Sequence, residues 1–228
     1  MLKFEAVTLR RTGFALQANC AVAGPGIVSV IGPSGGGKST LLSLIAGFDL
    51  PDEGRLLWDD RDLGPDAPGD RPVAILFQDN NLFPHLDILT NVALGAAPTG
   101  HPTPEVLVRA RTALTRVGLE GFENRRPGAL SGGQQSRAAL ARVLLTDRAI
   151  VLMDEAFAAL GPALRGEMLV LMQSLLADRL ILMVTHDPED ARRYSRQVIF
   201  VEDGQVLAPE DAETLFSAPH DALRRYMA

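Results

Sequence analysis

The sequence predicts an α/β fold with a mainly parallel sheet covered on both faces. Three observations carry this. Short apolar runs rich in β-branched residues recur at 27–31, 73–77, 149–153 and 180–184, and each stops at a glycine or a polar residue. Segments with helical character lie between them. A glycine-rich run joins the first of these strands to a helix.

The elements follow in order. Residues 1–31 read as strands, the last of them Ile27-Val28-Ser29-Val30-Ile31, a buried run ending at Gly32. Ser39 to Phe48 is apolar nearly all round (Leu41, Leu42, Leu44, Ile45, Ala46), which predicts a buried helix with Gly47 near its end. Gly54 to Leu63 predicts a strand pair turning at Asp59-Asp60. Residues 64–72 contain Pro65, Pro68 and Pro72 and read as a loop. Val73 to Phe77 is a second buried strand, ending at Gln78.

Thr103 to Val117 carries Val106, Ala110, Ala113, Leu114 and Val117 at helical spacing and marks a helical insertion. Gln134 to Leu145 and Leu164 to Ala177 read as helices. Ala149 to Met153 and Leu180 to Val184 read as buried strands that end in Asp154-Glu155 and Thr185-His186. Val198 to Leu207 predicts a hairpin turned by Asp203-Gly204.

Composition narrows the function classes. With 228 residues, 46% hydrophobic and 22% charged, the chain can bury a sizeable core. A formal net charge of −6 gives no basic footprint, so no nucleic-acid partner is expected. Cys20 stands alone, so no intrachain disulfide can form. Met1 to Glu5 has no charged-then-apolar pattern, and no secretory signal is expected. The most apolar stretch, residues 169–184, is interrupted by Gln173, Ser174, Asp178 and Arg179 and is too short to span a bilayer.

The chemistry begins at Gly32-Pro33-Ser34-Gly35-Gly36-Gly37-Lys38-Ser39, which matches G-x-x-x-x-G-K-[ST] between a strand and a helix. Glycines let backbone N–H groups turn inward without a Cβ to obstruct a phosphate. The helix that follows offers its positive end to the anion. Lys38 adds a full charge near the β- and γ-phosphates, and the Ser39 hydroxyl can bind Mg²⁺, with Thr40 next in line. These residues predict ATP and Mg²⁺ as ligands. The loop resembles that of P-loop NTPases, which implies a RecA-like α/β core with a mainly parallel sheet, an antiparallel β subdomain and a helical insertion.

Asp154 and Glu155 close an apolar strand at the sheet edge where open α/β sheets bind ligands. Asp154 can hold Mg²⁺, and Glu155 can orient the attacking water or take its proton. Leu130-Ser131-Gly132-Gly133-Gln134 precedes a helix and combines a hydroxyl, bare N–H groups and a helix N-terminus. His85, His101 and His220 show no metal-ligand spacing.

With Gln78 and His186 at two further strand ends, this set resembles the ATP-binding subunit of ABC transporters over nearly the whole chain. The resemblance implies residues 1–84 and 144–228 as core plus β subdomain, and 85–143 as the helical subdomain with the signature motif. It implies a homodimer with two ATPs between the copies. Ser131, Gly132, Gly133 and Gln134 then meet the nucleotide held by the other copy, Gln78 touches Mg²⁺ and the water, and His186 contacts the γ-phosphate. Catalysis falls to Glu155, His186 and Gln78, and the metal to Ser39, Gln78 and Asp154.

Two positions depart from the family pattern. Gly161 stands where an aspartate usually bridges the copies. The adenine-stacking aromatic is expected near Arg11, with Phe14 and Phe4 the nearest aromatics. The run from Phe77 to Leu86 is similar to thiamine importer ATPases. An integral membrane permease and, indirectly, a periplasmic or surface solute-binding protein are the implied partners, at the cytoplasmic face of the inner membrane. An importer for another small solute or anion, an exporter and a non-transport ABC ATPase are the alternatives.

Overall fold

The computed structural model describes residues 1–227. The chain begins with β1 (Leu2–Arg11), β2 (Phe14–Val22) and β3 (Gly26–Ile31), then α1 (Lys38–Ala46), β4 (Glu53–Trp58), β5 (Arg61–Asp62) and β6 (Val73–Phe77). It continues through α2 (Ile88–Ala93), α3 (Pro104–Arg116), α4 (Gly132–Leu145), β7 (Ile150–Asp154), α5 (Pro162–Leu175) and β8 (Leu180–Val184). The last elements are α6 (Pro188–Tyr194), β9 (Gln197–Glu202), β10 (Gln205–Val206), β11 (Glu210–Asp211), α7 (Ala212–Ser217) and α8 (Asp221–Met227). The chain forms two compact units, one from Met1–Val73 with the chain from Asp178 onward, the other Ala74–Ala177.

In the first unit the strands run in the order β5-β4-β1-β2-β10-β9-β3-β8, with β11 paired to β9. Parallel pairing centres on β3, which lies between β8 and β9. Pairing among β1, β2, β4 and β5 is antiparallel. The two kinds of strand share one sheet, because β10 pairs parallel with β2 and antiparallel with β9. Crossover strands β3 and β8 are buried on both faces, which explains their unbroken apolar runs. Both hairpin turns use left-handed residues, Asp59-Asp60 and Asp203-Gly204, as tight two-residue turns require. Burial pushes the Cys20 thiol up to about 11, so it stays protonated at neutral pH.

In the second unit β7 and β6 are neighbours. Residues Ile150 to Met153 of β7 are fully buried. The β6 strand, expected to be buried throughout, instead alternates: Ala74 and Leu76 are buried and Val73, Ile75 and Phe77 half-buried. α4 starts two residues before the expected Gln134, because Ser131 rather than Gly133 supplies the cap. α5 likewise begins at Pro162, two residues early, since proline is favoured in a first turn.

Arg71 is the least expected core residue. Its loop reads as polar, yet the side chain is 1% exposed. The guanidinium donates to the Leu44 and Ile45 carbonyls at 2.7 and 3.1 Å. It therefore caps the C-terminal end of α1, where orphan carbonyls and the helix dipole favour a cation. Gly47 permits this approach: a Cβ there would lie 2.6 Å from Arg71 Nε. Arg71→Met keeps the stem but removes the guanidinium donor from the Leu44 and Ile45 carbonyls, leaving the first only its bond from the Gly47 N–H at 3.3 Å. It should cost about 2–4 kcal/mol in urea unfolding at unchanged denaturant slope.

Candidate functional site

The loop after β3 is shaped from behind by the β9–β10 hairpin. Gly32 has φ 143°, and a Cβ on it would sit 2.0 Å from the Val201 carbonyl oxygen. The Gly204 N–H donates to the Gly36 carbonyl at 2.9 Å, and the Gly36 N–H donates to the Pro33 carbonyl at 3.1 Å. These bonds fix loop carbonyls against the protein. Gly37, at φ 115°, is the cap residue of α1 and makes no side-chain cap bond. The first amides of α1, at Lys38, Ser39 and Thr40, thus form a helix N-terminus suited to an anion. Lys38 Nζ donates to the Gly32 and Pro33 carbonyls at 2.7 and 2.9 Å, holding its charge at the loop. Ser34, Gly35 and Ser39 are exposed.

His186 belongs to the same unit and the same sheet edge. Val30 pairs with Val184 in parallel register, so the loop at Gly32 and the exposed His186 leave neighbouring strands together. Thr185 Oγ1 accepts from the Asp187 N–H at 3.1 Å, Asp187 caps α6, and the Tyr226 hydroxyl donates to the His186 carbonyl at 3.2 Å. The ring of Phe14 is half-buried and packs where a Cβ on Gly37 would lie, 3.0 Å away, so it borders the loop. Phe4 is core, 2% exposed, and Arg11 is ion-paired with Asp49 at 2.5 Å.

The second unit carries the other candidates. Gln78 is exposed directly after β6. Asp154 ends β7, and Glu155 follows at φ 49° in the left-handed region, with Phe157 at φ 73°. Non-glycine residues pay about 1 kcal/mol or more for such a conformation, and strain of this kind gathers at functional sites. Ser131 caps α4 in a reciprocal box: its Oγ accepts from the Gln134 N–H at 3.4 Å, and Gln134 Oε1 accepts from the Ser131 N–H at 2.9 Å. Gln134 therefore holds Ser131 in place, and the Ser131 O–H remains a donor in chemistry. Gly133 is buried against Leu164, whereas a Cβ on exposed Gly132 would meet nothing closer than Leu160 at 3.9 Å. Gly161 caps α5 at φ −62° with open space around its Cβ position.

Sequence reasoning missed the supports: Val201 and Gly204 behind the loop, and the buried Asn91 amide. Asn91 Oδ1 accepts from the Phe83 N–H at 2.7 Å, and its Nδ2 donates to the carbonyls of Phe83, Leu86 and Asp87 at 3.0, 3.2 and 2.9 Å. This clamp presents Phe83, 43% exposed, on a fixed backbone.

Residues 17–158 match the family described as "ABC transporter". The thiamine import ATP-binding protein ThiQ of Cereibacter sphaeroides is 52% identical over 229 residues, covering 100% of this chain and 99% of the relative. The protein of that name from Ruegeria sp. is 49% identical over 229 residues, again covering 100% and 99%. Among solved structures, the dimeric post-hydrolysis state of the ATP-binding cassette MJ0796 bound to ADP and Pi superposes with TM-score 0.76 at 31% identity, covering 93% of this chain and 99% of that one. A family match across most of the chain, full-length relatives at this identity and the loop geometry above lead to one statement: the chain belongs to the ABC transporter family.

Proposed function

We propose that this chain is the ATP-hydrolysing subunit of an ABC importer that takes up thiamine or a thiamine phosphate. The observation that carries the enzymatic half is the uncapped α1 N-terminus, held open by Gly204 and Val201 beneath a loop bearing Lys38. The substrate half rests on the thiamine import relatives matched over their full length.

In this reading Gly32, Pro33, Ser34, Gly35, Gly36, Gly37, Lys38, Ser39 and Thr40 bind the phosphates of ATP. Hydroxyl, carboxylate and amide oxygens suit Mg²⁺, which needs few protein ligands beside the phosphates, and Ser39, Gln78 and Asp154 would hold it. When bound, it neutralises charge on the β- and γ-phosphates. Glu155 orients the attacking water and receives its proton, and His186 donates to the γ-phosphate. Residues 85–143 form the helical subdomain, and the remainder forms the core. Two copies pair so that Ser131, Gly132 and Gly133, braced by Gln134, close on the nucleotide of the other copy. The dimer works at the cytoplasmic face of the inner membrane on a permease, fed by a solute-binding protein. The presented Phe83 offers an apolar anchor for a permease helix.

Gly132 supports the paired site. No neighbour in this chain requires a glycine at this exposed first position of α4, so its cause is sought in what docks there.

Four outcomes test the reading. Lys38→Ala should abolish tight ATP binding in equilibrium titration, and Glu155→Gln should keep binding, lose at least about a hundredfold in kcat and accumulate an ATP-bound dimer in size-exclusion chromatography. Full hydrolysis by Glu155→Gln would remove Glu155 from its role. Gly161→Asp should fold at least as well, gaining a few tenths of a kcal/mol from a better cap, while changing turnover or its cooperativity; unchanged kinetics would leave the aspartate without importance. Loss of the gene for this chain should abolish high-affinity uptake of labelled thiamine, and intact uptake would sink the substrate assignment.

A further inference from the structure

Arg142 lies in the third turn of α4, the helix whose cap is Ser131. Its guanidinium does not reach solvent freely. Nη1 donates to the Asn81 carbonyl at 2.7 Å and Nη2 to the Asn80 carbonyl at 2.9 Å. Both asparagines are in the left-handed region, φ 60° and 46°, which swings their consecutive carbonyls toward one fork. This turn begins at Gln78. Burial lowers the Arg142 pKa, and nearby Asp79 opposes that shift.

A second grip begins two residues on, at Phe83. Asn91 of α2 clamps Phe83, Leu86 and Asp87 through their backbones. The two gripping helices meet at Gly95, just past α2: a Cβ there would lie 2.2 Å from the Arg142 carbonyl oxygen. The loop 78–87, the end of α2 and the body of α4 therefore form one braced block. From Arg142 back to Ser131 the helix spans about 16 Å without a break.

We propose that Arg142 is a positioning residue: it ties the turn carrying Gln78 to the helix that carries the Ser131–Gly133 signature, so that the two move as one body. This rests on the reading of Gln78 and the signature given above. A displacement of the loop at Phe83 then shifts the Ser131 end of α4 in the same stroke, and removal of the fork uncouples them.

Lysine keeps the charge but cannot fork, so Arg142→Lys in the full-length protein is the first variant. Amide exchange at residues 78–82 should quicken about tenfold, the loss of one charge-assisted hydrogen bond, with β7 and β8 unchanged. The ATPase kcat of the paired protein should fall several-fold while KM for ATP holds. Should Arg142→Lys fold poorly, Asn81→Pro displaces the same carbonyl without touching α4, and it should reproduce the kcat loss. The double variant should be no worse than the more impaired single one.

Gln78→Ala separates the two layers of the claim. A loss of kcat in Gln78→Ala with full kcat in both Arg142→Lys and Asn81→Pro leaves the Gln78 reading intact and overturns the inference. Faster loop exchange at unchanged kcat, or additive losses in the double variant, would also overturn it. Full kcat in Gln78→Ala removes the underlying reading and the inference with it.

Discussion

The hydrogen bond from the Gly204 N–H to the Gly36 carbonyl holds the phosphate loop in the only sense that makes it useful. A planar trans peptide whose carbonyl is bound behind the loop points its own N–H, here that of Gly37, the opposite way, toward the mouth. The bond in turn needs a turn narrow enough to reach, which the left-handed Asp203-Gly204 pair provides, and glycines that let the Val201 backbone approach. The β9–β10 hairpin thus supports the loop although most of the chain separates them. Its central pairings, β9 to β3 and β10 to β2, lock the support to both kinds of strand in the first unit.

α1 carries the consequence through to its other end. Its first turn keeps donors for an anion, and its last turn is closed by Gly47 and Arg71. A negative ligand at one end and a fixed cation at the other both follow the helix dipole. The buried guanidinium thereby fixes the loop's anchor helix without touching the ligand.

What was legible in the sequence was what chemistry makes local. The four apolar runs became strands β3, β6, β7 and β8, and the glycine loop, the acidic pair and both hairpin turns fell where pattern placed them. The short helices α2, α6, α7 and α8 were not foreseen, since six or seven residues are too few for a period to declare itself. Asp87 and Asp187, which cap α2 and α6, were the available signals. At the site, the candidate ligand residues could be singled out because nucleotide chemistry restricts them to few types. The supports were not: Gly204, Arg71, Asn91 and Arg142 act on backbone atoms distant in sequence, and a backbone carbonyl leaves no mark on residue identity. Gly161 shows the converse, a departure from family pattern that the local backbone does not require.

Lys3 and Lys38 are the only lysines in the sequence, which makes the central claim directly measurable. Amine-reactive labelling followed by peptide mass spectrometry reads both at once. If the Gly32–Ser39 loop holds the phosphates, ATP with Mg²⁺ should protect Lys38 in a saturable manner, leaving Lys3, at the opposite end of β1 from the Arg11–Phe14 pair, labelled as before. Equal labelling of Lys38 with and without nucleotide, at concentrations that support hydrolysis, would contradict the account.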